Sequence, residues 1–437
     1  MNKKEYPKRR RHLMQMMGHN SIAILPAAPI LIRNRDVEYA YRPDSNFYYL
    51  SGFEEPEAVV VLVPGRRQGE YILFCQERDK KMEMWNGPRA GQEGACIDYG
   101  ADDAFPIDDL DEILSGLLED REKVFYTMGF SAEFDHKMME WLNQVREKSR
   151  IGVHAPNEFV ALDHLLHEMR LFKSRSEIKI MRDAAKISAR AHCRAMQECK
   201  PGMMEYQLEA ELLHEFAQHG CREQAYQSIV GGGDNACVLH YIRNDGELQD
   251  GDLVLIDAGA EKQYYASDIT RTFPVGGTFS EPQKAIYKVV LAAQEAAIEA
   301  VIPGNHWNDP HFAAVRVITK GLQKLGLIKG NLRTLIKDEA YRRFFVHRTG
   351  HWLGMDVHDV GEYKIDGVWR LLEPGMVLTV EPGIYIPRGS KGIAKKWWGI
   401  GVRIEDDVLV TKDGHEILSD GVPKTVDEIE ALMATSD

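Results

Sequence analysis

Hydrophobic and polar positions change texture near residue 170. Before it, continuous apolar runs at 58–63 and 71–75 predict buried strands, and helix-spaced apolar residues at 110–118 and 132–145 predict two helices. After Lys173-Ser174, the spacing of Ile178, Met181, Ala184, Ala185 and Ile187 predicts a long amphipathic helix, with Ser176 and Glu177 near its start. Pro201-Gly202 closes the following run, and 205–219 reads as another helix. Thereafter strands at 253, 268, 377 and 400 alternate with helices over 284–300 and 310–325, an α+β texture. We expect two domains, 1–172 and 173–437, the first a smaller α/β domain.

The amino end carries the basic run Lys8-Arg9-Arg10-Arg11, expected on the exposed side of a first helix whose apolar positions are Leu13, Met14, Met16 and Met17. The apolar segment 21–32 that follows imitates a secretory signal. It contains two prolines and leads into Arg33 and Arg35, so it is read as the first strand. No run approaches the roughly 18 apolar residues needed to cross a bilayer, so no membrane partner is expected and the cytoplasm is the simpler address.

Composition narrows the class. The 437 residues are 44% hydrophobic and 28% charged, enough for a substantial core. A net charge of −13 argues against nucleic acid, whose phosphates attract a basic face. The six cysteines show no C-x-x-C spacing, so buried free thiols are expected rather than a zinc-thiolate site or a disulfide framework.

Candidate chemistry sits at the edges of the apolar runs of the second half. Asp257 ends the run 253–256, Asp268 opens Asp-Ile-Thr-Arg-Thr-Phe, Glu381 follows 376–380 and precedes Pro382-Gly383, and Glu405 lies in Gly-Ile-Gly-Val-Arg-Ile-Glu-Asp-Asp. With His351 they offer enough oxygen and nitrogen ligands for two divalent metal ions, and four carboxylates balance two M²⁺ charges. One imidazole among oxygens suits Mn²⁺, Co²⁺, Fe²⁺ or Zn²⁺, and paired ions can activate a water. Metal-assisted hydrolysis is therefore the leading reaction class. Alternation puts Thr270 on the face of Asp268, as a hydroxyl that could orient a ligand, and Arg403 beside Glu405, to orient a carboxylate or contact substrate. A lone acid at a strand end is most often a turn or cap residue; five ligands so placed are harder to assign to turns.

The stretches Asp-Ala-Gly at 257–259, Asp-Ile-Thr-Arg-Thr-Phe-Pro-Val at 268–275, His-Trp-Leu-Gly-Met-Asp-Val-His-Asp-Val-Gly at 351–361, Leu-Glu-Pro-Gly-Met-Val-Leu-Thr-Val-Glu-Pro-Gly-Ile-Tyr at 372–385 and Arg-Ile-Glu-Asp-Asp at 403–407 resemble the pita-bread metallopeptidases, and among them the bacterial aminopeptidase P (Xaa-Pro aminopeptidase) family. Segments 39–53 and 168–174 extend the resemblance over nearly the whole chain. It implies a pita-bread catalytic domain behind a smaller amino-terminal domain that helps close the cleft and makes oligomer contacts, in a dimer or tetramer. It implies that Asp257 chelates one metal, His351 and Glu381 the other, and that Asp268 and Glu405 bridge both, with Mn²⁺ favoured and a hydroxide between the ions. His240, His347 and His358 match active-site histidines, and Glu381 is a candidate proton shuttle.

The implied activity is release of the first residue from peptides with proline second. Proline's ring fixes φ and removes an N–H, so a dedicated pocket is expected, with Tyr385 or Trp85 as candidate walls; Asp36 and Trp85 fall in segments that resemble those approaching an active site. The alternatives are a prolidase restricted to Xaa-Pro dipeptides, a methionine aminopeptidase, which leaves the long first domain unexplained, and a non-catalytic scaffold, which would be expected to have lost ligands. One departure stands out: relatives usually read His-Gly before the ligand segment, whereas this chain reads His347-Arg348-Thr349-Gly350-His351. Arg348 is expected to point away into solvent; facing the cleft instead, it would alter substrate preference or position a peptide carboxylate.

Overall fold

Valine- and isoleucine-rich runs of the first half form one mixed six-stranded sheet. In the computed structural model, which describes residues 2–435, the chain divides after Met169 into two compact units. The first unit's sheet runs in the order Asp103–Pro106, Tyr71–Cys75, Val59–Leu62, Ser21–Pro26, Lys123–Phe125, Glu158–Val160. Val59–Leu62 and Tyr71–Cys75 are buried at every position, which is why they read as continuous rather than alternating apolar runs. Helix Leu110–Leu118 buries Leu110, Leu114 and Leu118, and helix Ala132–Glu147 buries Met138, Trp141 and Val145, in one core with the strands.

The first helix, Glu5–Met17, corrects one expectation. Lys8 and Arg11 are exposed, but Arg9 and Arg10 are buried, while Met16 faces water. The Arg9 guanidinium lies 3.8 Å from the Tyr49 ring centre and donates to the Tyr49 carbonyl; that of Arg10 lies 3.8 Å from the Tyr71 ring centre and donates to the Leu50 carbonyl. A planar cation that stacks on rings and meets carbonyl oxygens can be buried where an ammonium would not be. The segment 21–32 contributes the buried strand Ser21–Pro26 and then an exposed hairpin, Ile32–Asn34 with Val37–Glu38, whose turn carries exposed Asp36. Trp85, on helix Lys80–Asn86, is 79% exposed, and that helix buries none of its residues.

The second unit opens with helix Arg175–Glu198, capped by reciprocal hydrogen bonds between Ser174 and Glu177. Leu253–Asp257 pairs antiparallel with Ile229–Gly232 on one side and Thr270–Pro274 on the other. Two further hairpins carry the remaining acids. Val377–Val380 pairs with Asp406–Val410, and Gly383–Ile386 with Ile400–Arg403, so both chains leave one ladder and enter another at 381–382 and 404–405. Glu381 and Glu405 sit at those breaks.

Candidate metal centre

Hydrogen bonds at the breaks hold the acid-bearing backbone. The Glu405 N–H donates to the Thr270 carbonyl at 3.0 Å and the Glu381 N–H to the Thr349 carbonyl at 2.8 Å, tying separate segments together. The strand expected from 268 begins at Thr270, because the Asp268 N–H is directed at the Asp407 carboxylate instead of a ladder carbonyl. Two glycines permit the close approaches. A Cβ on Gly259 would stand 1.7 Å from the Ser267 carbonyl oxygen, and one on Gly350 2.0 Å from that of Thr379, so neither segment could carry a larger residue and still bring Asp257 and His351 to the site. Beneath them, fully buried Arg271 pairs with Asp406 at 2.8 Å and donates to the carbonyls of Thr270 and Glu405.

Asp257, Asp268, His351, Glu381, Glu405, His240, His347, His358 and Arg403 all line one cleft of about 530 Å³. Asp268, His351 and Glu405 each offer a ligand atom within 4.8 Å of the others. His351 Nε2 lies 3.3 Å from Asp268 and 3.8 Å from Glu381, and His347 Nδ1 lies 3.6 Å from Glu381. Thr270 Oγ1 donates to Glu405 at 2.5 Å, so the hydroxyl does approach a carboxylate of the set. Arg403 turns to Asp257 rather than to its near neighbour Glu405: Nη2 donates to Asp257 at 2.5 Å, Nε to Thr270 and Nη1 to Tyr385. The His351 and His358 rings meet edge to face at 4.4 Å.

Charge in this cluster is unbalanced. Burial pushes the Asp257 carboxyl up against the pull of Arg403. Burial likewise takes Glu381 up to about 7 despite His351 and Arg403, and takes Glu405 well above its usual range, with Asp268 and Glu381 adding to the rise. Asp268 differs: burial raises it, but the hydrogen bond and charge of His351 bring it below the usual value. Burial pulls His351 down, yet Asp268 and Glu381 more than offset this and leave it at about 9. His347 is driven down to about 3 by burial and by Arg403. Four crowded carboxylates face one guanidinium and one imidazole, and Asp268, His351 and Glu405 among them could hold a divalent cation, whose charge would favour the ionised carboxylates.

Two residues were missed. The Tyr226 hydroxyl donates to Asp257 at 2.6 Å and also contacts Asp268, one proton shared between two carboxylates. Its flanks, Gln-Ala before and Gln-Ser after, carry no signal of this. Asp407 accepts the Asp268 N–H and is itself pushed well up by burial and by Asp268; the triplet Glu405-Asp406-Asp407 is the signal that could have found it. Tyr385 does not line the cleft as a proline wall: it is buried, with its hydroxyl 2.8 Å from His347 Nε2, bracing the wall from behind. Arg348 is exposed but does not point away; it lines the cleft, with its guanidinium 5.1 Å from the Trp369 ring centre. A cation–π contact holds it against the wall.

Comparison with known proteins agrees with this architecture. Residues 179–412 match Metallopeptidase family M24, and residues 6–126 match the Aminopeptidase P, N-terminal domain. The chain is 45% identical to the Xaa-Pro aminopeptidase of Escherichia coli K12, covering 100% of this chain and 99% of the relative. A solved Pseudomonas aeruginosa aminopeptidase superposes with a TM-score of 0.99 at 61% identity, covering 100% of this chain and 99% of the other. An Escherichia coli aminopeptidase P variant solved in complex with substrate superposes at 0.97 with 44% identity over the same shares. A two-unit chain with a mixed-sheet amino-terminal unit and an acid-lined cleft in its second unit thus belongs to metallopeptidase family M24.

Proposed function

We propose that this protein is a metal-dependent Xaa-Pro aminopeptidase, which releases the first residue from peptides with proline second. The observation that carries the reading is the convergence of four carboxylates, His351 and three further histidines on one cleft. The full-length likeness to Xaa-Pro aminopeptidases supplies the substrate class.

Asp257, Asp268, His351, Glu381 and Glu405 would hold two divalent ions, Mn²⁺ by preference, in a set whose oxygen-rich chemistry also suits other first-row ions; a zinc-substituted relative has been solved. Bound metal supplies Lewis-acid polarisation of the scissile carbonyl and a water acidic enough to attack near neutral pH. Glu381, on the cleft wall 3.8 Å from His351 and 3.6 Å from His347, is placed to accept the proton of the attacking water and return it to the proline nitrogen, which must leave as an amine. His240 and His358, exposed on the cleft wall, donate hydrogen bonds to the carbonyl oxygen as charge develops there. His347, hydrogen-bonded to Tyr385 and 3.6 Å from Glu381, would contact substrate on the same cleft, and Arg403 fixes the Asp257 carboxylate.

We further assign the protein to the cytoplasm, where its six free thiols would persist. No helix among the described residues is long and apolar enough to cross a membrane. A homo-oligomer, dimer or tetramer, would cover Leu31, Ile32, Val37, Tyr39, Met84 and Trp85, apolar side chains the first unit leaves exposed.

The test compares Xaa-Pro-Yaa tripeptides, Xaa-Pro dipeptides and Met-Ala-Yaa peptides with Mn²⁺-loaded enzyme. Release of the first residue from the tripeptides, with little action on the others, is expected. Dipeptide-only cleavage would make it a prolidase.

A further inference from the structure

We infer that Arg348, on the cleft wall and braced against Trp369, binds a carboxylate with the charge of Lys364 in support, and that it is a specificity-determining residue for peptides with a carboxylate downstream of the proline. The inference rests on the peptidase reading above. Lys364 and Trp369 are directly opposed partners in the short hairpin Lys364–Ile365 with Val368–Trp369, which brings the ammonium to 4.4 Å from the indole centre. Arg348 reaches the same ring from the segment that precedes His351, at 5.1 Å. Trp369 is partly buried against the main core of its unit, and its carbonyl meets His306 Nδ1 at 2.7 Å, so the platform is anchored.

Among the described residues no acid pairs with Arg348 or Lys364, although acids outnumber bases in this chain by 67 to 54. Arg348 and Lys364 share one indole, so a carboxylate that reaches the Arg348 guanidinium meets the positive charge of both. Arg348 presents a planar fork of donors suited to a carboxylate, with Lys364 as a second point charge. Because Arg348 lines the cleft that would take the peptide, the anion is a carboxylate of the peptide itself. Its source is either the terminal carboxylate of a short peptide or an acidic side chain beyond the proline.

The experiment measures kcat/KM for Xaa-Pro-Ala as free acid and as amide, and for Xaa-Pro-Glu-amide and Xaa-Pro-Gln-amide, with wild type, Arg348→Gln, Arg348→Lys and Lys364→Gln. Wild type is expected to prefer the charged member of at least one pair. Arg348→Gln should reduce that preference about tenfold or more through KM, the scale of a charge-assisted hydrogen bond, with Arg348→Lys retaining part of it. Loss in the first pair assigns the terminal carboxylate, and loss in the second the side chain. Equal kcat/KM within both pairs for wild type, or a preference that Arg348→Gln leaves unchanged, overturns the subsite. Wild-type turnover separates the two readings: no cleavage of any of the four peptides defeats the peptidase reading, and cleavage with a preference that Arg348→Gln leaves unmoved defeats the subsite alone.

Discussion

Arg403 donates from Nη2 to Asp257 Oδ2 at 2.5 Å across 146 residues of sequence, and the same guanidinium bonds Thr270 and Tyr385. It is the cation that faces the carboxylate cluster from within the wall. Arg403→Met should therefore leave Asp257 buried without its partner, destabilising metal-free protein by about 3–5 kcal/mol. Saturating Mn²⁺ should recover part of that loss, because the ion replaces the missing charge. Denaturant unfolding with and without metal checks both; an equal loss in the two conditions would mean that Arg403 does not act on Asp257's charge.

Tyr226 shares one hydroxyl proton between Asp257 and Asp268. Tyr226→Phe removes that donor while keeping the ring, so metal affinity should fall about 10- to 100-fold, as for other residues that orient ligands. Competition with a chelator of known affinity measures it. Unchanged affinity with reduced turnover would place the hydroxyl's role in catalysis instead.

Glu405 is buried and raised by burial and by Asp268 and Glu381. Glu405→Gln keeps an acceptor for Thr270 and replaces a carboxyl whose ionised form the buried cluster disfavours, so metal-free protein should be no less stable, while metal affinity and turnover fall by at least about 100-fold. Thermal melts of metal-free protein set against Mn²⁺ titrations give the two signs. A variant destabilised without metal would show that the cluster is not charge-crowded.

His192 is buried, with Nε2 3.0 Å from the Ala258 carbonyl, and burial pulls it down to about 4. Its folded pKa lies below the unfolded value near 6.5, so between the two the unfolded chain binds the extra proton. Its contribution is constant above about pH 6.5 and is lost as pH falls toward 4, by up to about 3 kcal/mol. The difference in unfolding free energy between wild type and His192→Gln, followed from pH 7 to 4, should carry this slope. A flat difference would show that His192 titrates normally in the folded state.

Acids at strand ends were legible because apolar runs announce the strands and the acids interrupt them. Glu381 and Glu405 occupy the residues where two chains change ladders, and Asp257 the last position of Leu253–Asp257. What the chain did not announce depends on side-chain reach across the fold. Arg9 and Arg10 look like surface charge until Tyr49 and Tyr71 are seen beneath them. Tyr226 stands in an unremarkable polar segment and meets Asp257 only through the pairing of Ile229–Gly232 with Leu253–Asp257. Arg348 reads as a solvent-facing substitution, and only the hairpin that raises Trp369 gives it a place on the cleft wall.

We propose that the acid cluster is a two-ion centre that drives peptide cleavage. Its most direct test titrates metal-free enzyme with Mn²⁺ while release of the first residue from an Xaa-Pro-Yaa tripeptide is followed. Turnover should be absent without metal and reach a plateau at two equivalents. Full turnover by metal-free enzyme, or none with two ions bound, would contradict it.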